Sequence, residues 1–247
     1  MVVVGVTVGR LRAAYTLIRR PRITVPSDVK SRPVIPEREV LTRLVPLQSI
    51  STEAHPDTIV DAIRTSVESS YSIDTCTTPE YNDLFCGLLD PPPLTSPEQW
   101  SRGTSLALIR LHAIVAHELR RQFRVPVNHI SIGTARMSLG IAEGSAGDAK
   151  RGMVAQFKET VVDRDESSTG SGFQTMAESW AVATALERTR LISELRNSFP
   201  DLVQRARNEV NHRKLFQKSD VNKLKDSVMS DLVEAEVDKL LIKRFSL

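Results

Sequence analysis

Five places in the chain hold residue types that do chemistry, and each fails on spacing. His112 and His117 are five apart, whereas a zinc-protease helix needs two histidines four apart so that both face one metal. Glu118 follows the second histidine instead of standing between the two. His112 falls on an apolar helix face and reads as a core or semi-buried residue; His117 belongs to a basic face. Cys76, Cys86 and His55 share no recognised ligand spacing. The stretch Gly140–Gly152 has the glycines of a phosphate cradle, but Lys150 stands between Ala149 and Arg151, and a Walker loop needs glycine, lysine and hydroxyl in succession. It reads as a strand connection. Ser138 and Ser145 lack the flanking glycines of a nucleophile elbow. Asp163, Asp165 and Glu166 have no calcium-loop register and read as a solvated acidic loop. The expectation is therefore no catalytic residue, no metal and no cofactor.

Phosphate binding asks for less, only positive charge and donors at roughly phosphate spacing. Arg10, Arg12, Arg19, Arg20 and Arg22 put five arginines in the first 22 residues. Arg110, Arg121 and Arg124 fall on one side of a helix at about 100° per residue, with His117 among them and Arg120 flanking. Arg207, Lys214 and Lys218 line a second helical side with Asn211. These are the candidate nucleic-acid or phosphate contacts, and the plain alternative is a set of solvated basic faces.

Charge along the chain follows blocks. The 247 residues carry 33 basic and 30 acidic side chains, a net +3. Residues 1–43 hold nine basic residues against Asp28, Glu37 and Glu39, while residues 44–100 hold Arg64 against nine acids. Such blocks speak to partners rather than fold. Aromatics at 5% and 11 glycines disfavour stacked-aromatic RNA-binding sheets and glycine-rich nucleotide folds. Two cysteines are too few for a disulfide framework.

The elements that would position these residues follow from periodicity. Val2–Val8 reads as a strand and 10–20 as a basic helix. Prolines 21, 26, 33, 36 and 46 make an extended connector. A short helix over 57–69 turns Ile59, Val60, Ile63 and Val67 inward. The longest helix spans 103–123 with Leu108, Leu111, Val115, Leu119 and Phe123 buried. Alternation after Pro126 predicts a hairpin over 128–141 and a third strand near 153–162. Helices are expected over 174–197, 201–213 and 220–243, the last with Val221, Leu224, Val228 and Leu232 inward. Asp90-Pro91-Pro92-Pro93-Leu94 is similar to the proline-rich docking peptides of viral matrix proteins, with Leu94 where their tyrosine stands.

The sequence thus predicts an α+β, helix-dominated fold with a small antiparallel sheet at about 127–163 and an extended basic N-terminal arm. It divides into 1–48 (arm and connector), 49–170 (acidic segment, long helix, sheet) and 171–247 (C-terminal helices). The expected function is that of a non-enzymatic structural protein that self-associates and binds a polyanion. Most specifically it would be a viral nucleocapsid, coat or matrix protein on RNA or an anionic membrane, with other structural proteins as further partners, in the virion and the host cytoplasm or nucleus. The alternative is a mitochondrial structural subunit with an arginine-rich targeting start, and a third reading is an enzyme using the 143–152 loop.

Overall fold

The computed structural model describes residues 1–9, 11–21, 23, 35–47, 55–70, 81, 83–91, 103–141, 145–161, 170–212 and 226–245. They form a helix-dominated α+β fold. In chain order the elements are β1 (Val2–Val8), β2 (Arg12–Arg19), β3 (Glu39–Pro46), α1 (His55–Ser70), β4 (Leu84–Leu89), α2 (Gly103–Phe123), β5 (Val127–Ile130), α3 (Ile132–Ser138), α4 (Ala146–Thr160), α5 (Gly170–Ser198), α6 (Pro200–His212) and α7 (Asp226–Phe245). Two compact units are distinguished: residues 1–21 with 37–187, and residues 22–36 with 188–247.

The first unit is built on a five-stranded sheet in the order β3-β2-β1-β4-β5. β1 pairs antiparallel with β2, and β2 with β3; β1, β4 and β5 run parallel. Helices cover both faces, which is why β1 is apolar at nearly every position instead of alternating. Val2, Val4, Val6 and Val8 pack with α1 and α2. Val3 packs on the other side with α4 and α5.

Gly5 explains how α5 reaches the sheet. A Cβ there would lie 2.4 Å from both the Ala183 nitrogen and the Ser179 oxygen, so strand and helix backbones touch where no other residue fits. Its lateral partner is Gly87, where a Cβ would press on Val182, Ile130 and Leu186 at 3.1–3.3 Å. From Met176 to Glu187 only Glu178 is not fully buried.

Several expectations are corrected here. The N-terminal segment is no arm: β1 and β2 are the middle of the sheet, and 12–19 pairs as a strand between two neighbours. Thr16, Leu17 and Ile18 are β-branched or bulky residues buried on the two faces, and that burial outweighs helix propensity. The connector ends in β3, whose edge position tolerates Pro46. The sheet is mixed rather than antiparallel, and of residues 127–163 only 127–130 belong to it. The rest of the expected hairpin is α3 and the expected third strand is α4, begun by Ser131 and Ser145, whose side chains accept from the Thr134 and Asp148 nitrogens. The α2 bounds and its buried stripe stand as read.

The second unit packs α6 against α7 through Val203, Ala206, Val210, Val237 and Leu241. Leu232, expected inward, is exposed. The face that α6 covers is set by Val233, Val237, Leu240 and Leu241 instead. Val221, Leu224 and the expected helix start at 219–220 lie outside the described residues.

Candidate functional site

The parallel strands end together. Val8 closes β1, Leu89 closes β4 and Ile130 closes β5, and the Asp90 nitrogen donates to the Ile130 carbonyl at 2.9 Å. Strand order reverses between β1 and β4, since β2 and β3 extend to one side and β5 to the other. Ligands of open α/β sheets bind at such a carboxyl edge.

Three groups stand at this edge. Asp90 follows the last residue of β4, and its Oδ1 lies 3.4 Å from Nδ1 of His129 on β5, both side chains roughly half exposed. A ring held through Nδ1 leaves Nε2 available as a base. Beneath them is His112 of α2, 3% exposed, whose Nε2 lies 2.9 Å from the Val8 carbonyl. Burial lowers its pKa; His129 adds to the lowering, while the Val8 and Leu89 backbone and Asp90 oppose it.

α5 brings the third. Glu187 binds Arg20 beside the start of β1, and residues 179 and 183 lie on Gly5, so α5 runs antiparallel to β1. Its turn of 3.6 residues puts Glu178, Val182 and Leu186 on one stripe, and Val182 and Leu186 lie on Gly87 of β4. Glu178 is therefore one turn nearer the carboxyl end of β4. Its Oε1 accepts from Gln174 at 2.7 Å. Burial raises its pKa, outweighing Gln174, Lys150 and Arg136, which lower it. On the same sheet face Thr7 has a buried hydroxyl with no hydrogen-bond partner among the described residues. No three His, Cys, Asp or Glu side chains among the described residues converge as a metal ion requires.

The arginines singled out from sequence do not converge here. Arg110, Arg121 and Arg124 are exposed on α2, and Arg121 is paired with Glu118. Arg124 ends the helix with φ 54°, the left-handed conformation usual for a residue just past a helix. Arg12 begins β2 and Arg19 ends it, the latter 3.6 Å from Glu39. Arg20 is internal: it and Arg38 each bond one oxygen of buried Glu187 at 2.7 Å. Arg207 bonds Glu234 in the second unit. Arg10, Arg22, Lys214 and Lys218 lie outside the described residues, as does Cys76. Ser138 bonds its own helix at the Ala135 carbonyl, and Cys86 is a buried thiol pushed up to about 12 by burial.

Sequence reasoning passed over Asp90, His129 and Glu178. The available signal was the run Leu84–Leu89 ending in an acid, which is a buried parallel strand with a polar residue at its carboxyl end.

No family model matches the chain, and no curated protein matches it. Among solved structures it is similar to Thermus thermophilus RuvC, with 14% identity over 77% of this chain and 96% of that one, at a TM-score of 0.43. A T. thermophilus RuvC in complex with Holliday junction substrate matches with the same identity and coverage at 0.37. At these values no chemistry transfers from RuvC to this chain. The expected non-enzymatic structural protein, viral or mitochondrial, on RNA or an anionic membrane, is corrected all the same. The matched structures are RuvC proteins rather than coat or matrix proteins. Of the basic start that supported the expectation, 2–8 is the central strand of the sheet and 12–19 is paired on both sides.

Proposed function

We propose that this chain is an enzyme that binds DNA and hydrolyses phosphodiester bonds at the carboxyl edge of β1, β4 and β5. The observation that carries the reading is that the Asp90–His129 pair and half-buried Glu178 stand at the same, carboxyl end of the parallel strands, the pair on the α2 face beside His112 and Glu178 on the α5 face. Two acid–base groups in different environments divide the labour: one takes a proton while the other gives one. His129, oriented by Asp90, accepts a proton at Nε2 from the attacking water, whose oxygen bonds to phosphorus. The bond from phosphorus to the leaving oxygen breaks, and that oxygen takes its proton from Glu178, which burial helps to keep protonated. Arg136 and Lys150, the cations acting on Glu178, meet the charge of the phosphoryl group.

Arg110, Arg121 and Arg124 extend the positive surface along α2. Arg124 is fourteen residues beyond Arg110, about 21 Å along the helix, so these three contact DNA backbone away from the scissile bond.

The test is binding and cleavage of duplex and branched DNA, with RNA of equal length as comparator. Asp90→Asn and Glu178→Gln are each expected to lower cleavage by about 10²–10⁴-fold while leaving DNA binding intact. Cleavage at wild-type rate in both variants, or no DNA binding by the wild type, would remove the reading.

A further inference from the structure

We propose that His112 is a positioning residue of this site, a buried imidazole that takes up a proton when the phosphate of bound DNA fills the crevice. The inference rests on the reading above and concerns a group that the reading leaves unused. A carbonyl only accepts, so the 2.9 Å contact with Val8 fixes the hydrogen of the neutral ring on Nε2. Nδ1 then carries a lone pair, and it is enclosed with no partner among the described residues. A residue with only a packing role in that apolar layer needs no second ring nitrogen, and a buried acceptor without a donor is unfavourable.

The surroundings explain what the lone pair is for. The ring stands between the last residues of β1 and β4, with the Leu89 backbone favouring its protonated form. The charged groups facing it are Asp90, after β4, which favours the cation, and His129, on β5, which opposes it. Burial is the largest influence and keeps the free protein's ring neutral. A phosphate in the crevice adds negative charge on the side of Asp90 and tips that balance. Solvent supplies the proton, and Nδ1 gains an N–H to set against the Leu89 backbone while Nε2 keeps Val8. The ring then ties together the strand ends that flank the site, which fixes Asp90 against His129.

Calorimetric titration of duplex DNA into the full chain, in two buffers of different ionisation enthalpy near pH 7, measures the linked proton. Wild type and His129→Asn are expected to take up protons, with DNA affinity weakening by up to about tenfold per pH unit as pH rises. His112→Gln is expected to bind without uptake and with a flatter pH dependence. NMR titration of the wild-type His112 ring needs no variant to fold and is expected to show a higher pKa with DNA bound than without. DNA binding by wild type with no uptake, uptake retained in His112→Gln, or an unmoved His112 titration overturns this proposal and leaves the hydrolase reading standing. Absence of DNA binding by wild type overturns both.

Discussion

The two units hold together by different means. In the first, α5 lies on a floor of Gly5 and Gly87, and the sheet is apolar on both faces. Among the described residues its one fully buried carboxylate, Glu187, has both oxygens bonded to arginine. In the second, the buried cluster of Val203, Ala206, Val210, Val237 and Leu241 is accompanied by a charge network. Arg196 bonds Glu234 and Asp238, Arg207 bonds Glu234, and Arg244 bonds Glu209. Close packing is short-ranged and indifferent to salt and proton concentration, whereas half-exposed ion pairs respond to both. The first unit can therefore hold its groups in fixed positions at salt concentrations at which the second loosens.

Gly5→Ala should break the contrast most severely. Its Cβ would meet backbone atoms at 2.4 Å, so α5 must leave the sheet, at a cost of about 3 kcal/mol or more. Gly87→Ala, which meets side chains at 3.1–3.3 Å, should cost roughly 1–2 kcal/mol. Equal denaturant midpoints for the two variants would contradict the backbone-contact account.

Next in size is Arg196→Met, aimed at the second unit. It removes the partner shared by Glu234 and Asp238. For groups about a third exposed the loss should be about 1–2 kcal/mol, shrinking in 1 M salt. Hydrogen exchange confined to 200–245 would confirm its reach, and a loss unaffected by salt would contradict the ionic account.

Acid separates the units more gently. Burial would raise the Glu234 pKa, but bonds from Arg196 and Arg207 prevail and lower it. Its contribution is present above the ordinary carboxyl value of 4.5 and lost as pH falls through the lower folded value. His112 acts earlier: with its folded pKa lowered, stability declines as pH falls below 6.5. Glu178 has the opposite sign, its raised folded pKa giving stability at low pH that is lost as pH rises through it. Glu178→Gln should therefore raise the melting temperature at pH 8 relative to wild type and hardly change it at pH 4. A lower melting temperature at pH 8 would contradict the burial account. Arg121→Glu, on the exposed face of α2, should change stability by no more than about 0.5 kcal/mol and weaken DNA binding more in low salt than in high salt.

Periodicity alone determined the elements whose burial is one-sided. The stripe of α2 from Leu108 to Phe123, the inward face of α1 and the Val203-Ala206-Val210 side of α6 are each legible because one face meets the core and the other meets water. Where an element is buried all round, or where two patterns compete, sequence was silent or misleading. The segment 12–19 has arginines at both ends like a basic helix, but its backbone groups pair with β1 and β3. Residues 132–160 alternate locally, yet serine caps and the Met153–Phe157 spacing make them helices. The candidate site lay furthest from view. Asp90, His129, His112 and Glu178 are separated by up to 88 positions in the chain, and no local spacing relates them. Only the parallel alignment of β1, β4 and β5, and the glycines that let α5 lie on them, bring those groups to one edge, because that proximity is set by sheet order and backbone contact rather than by neighbours in sequence.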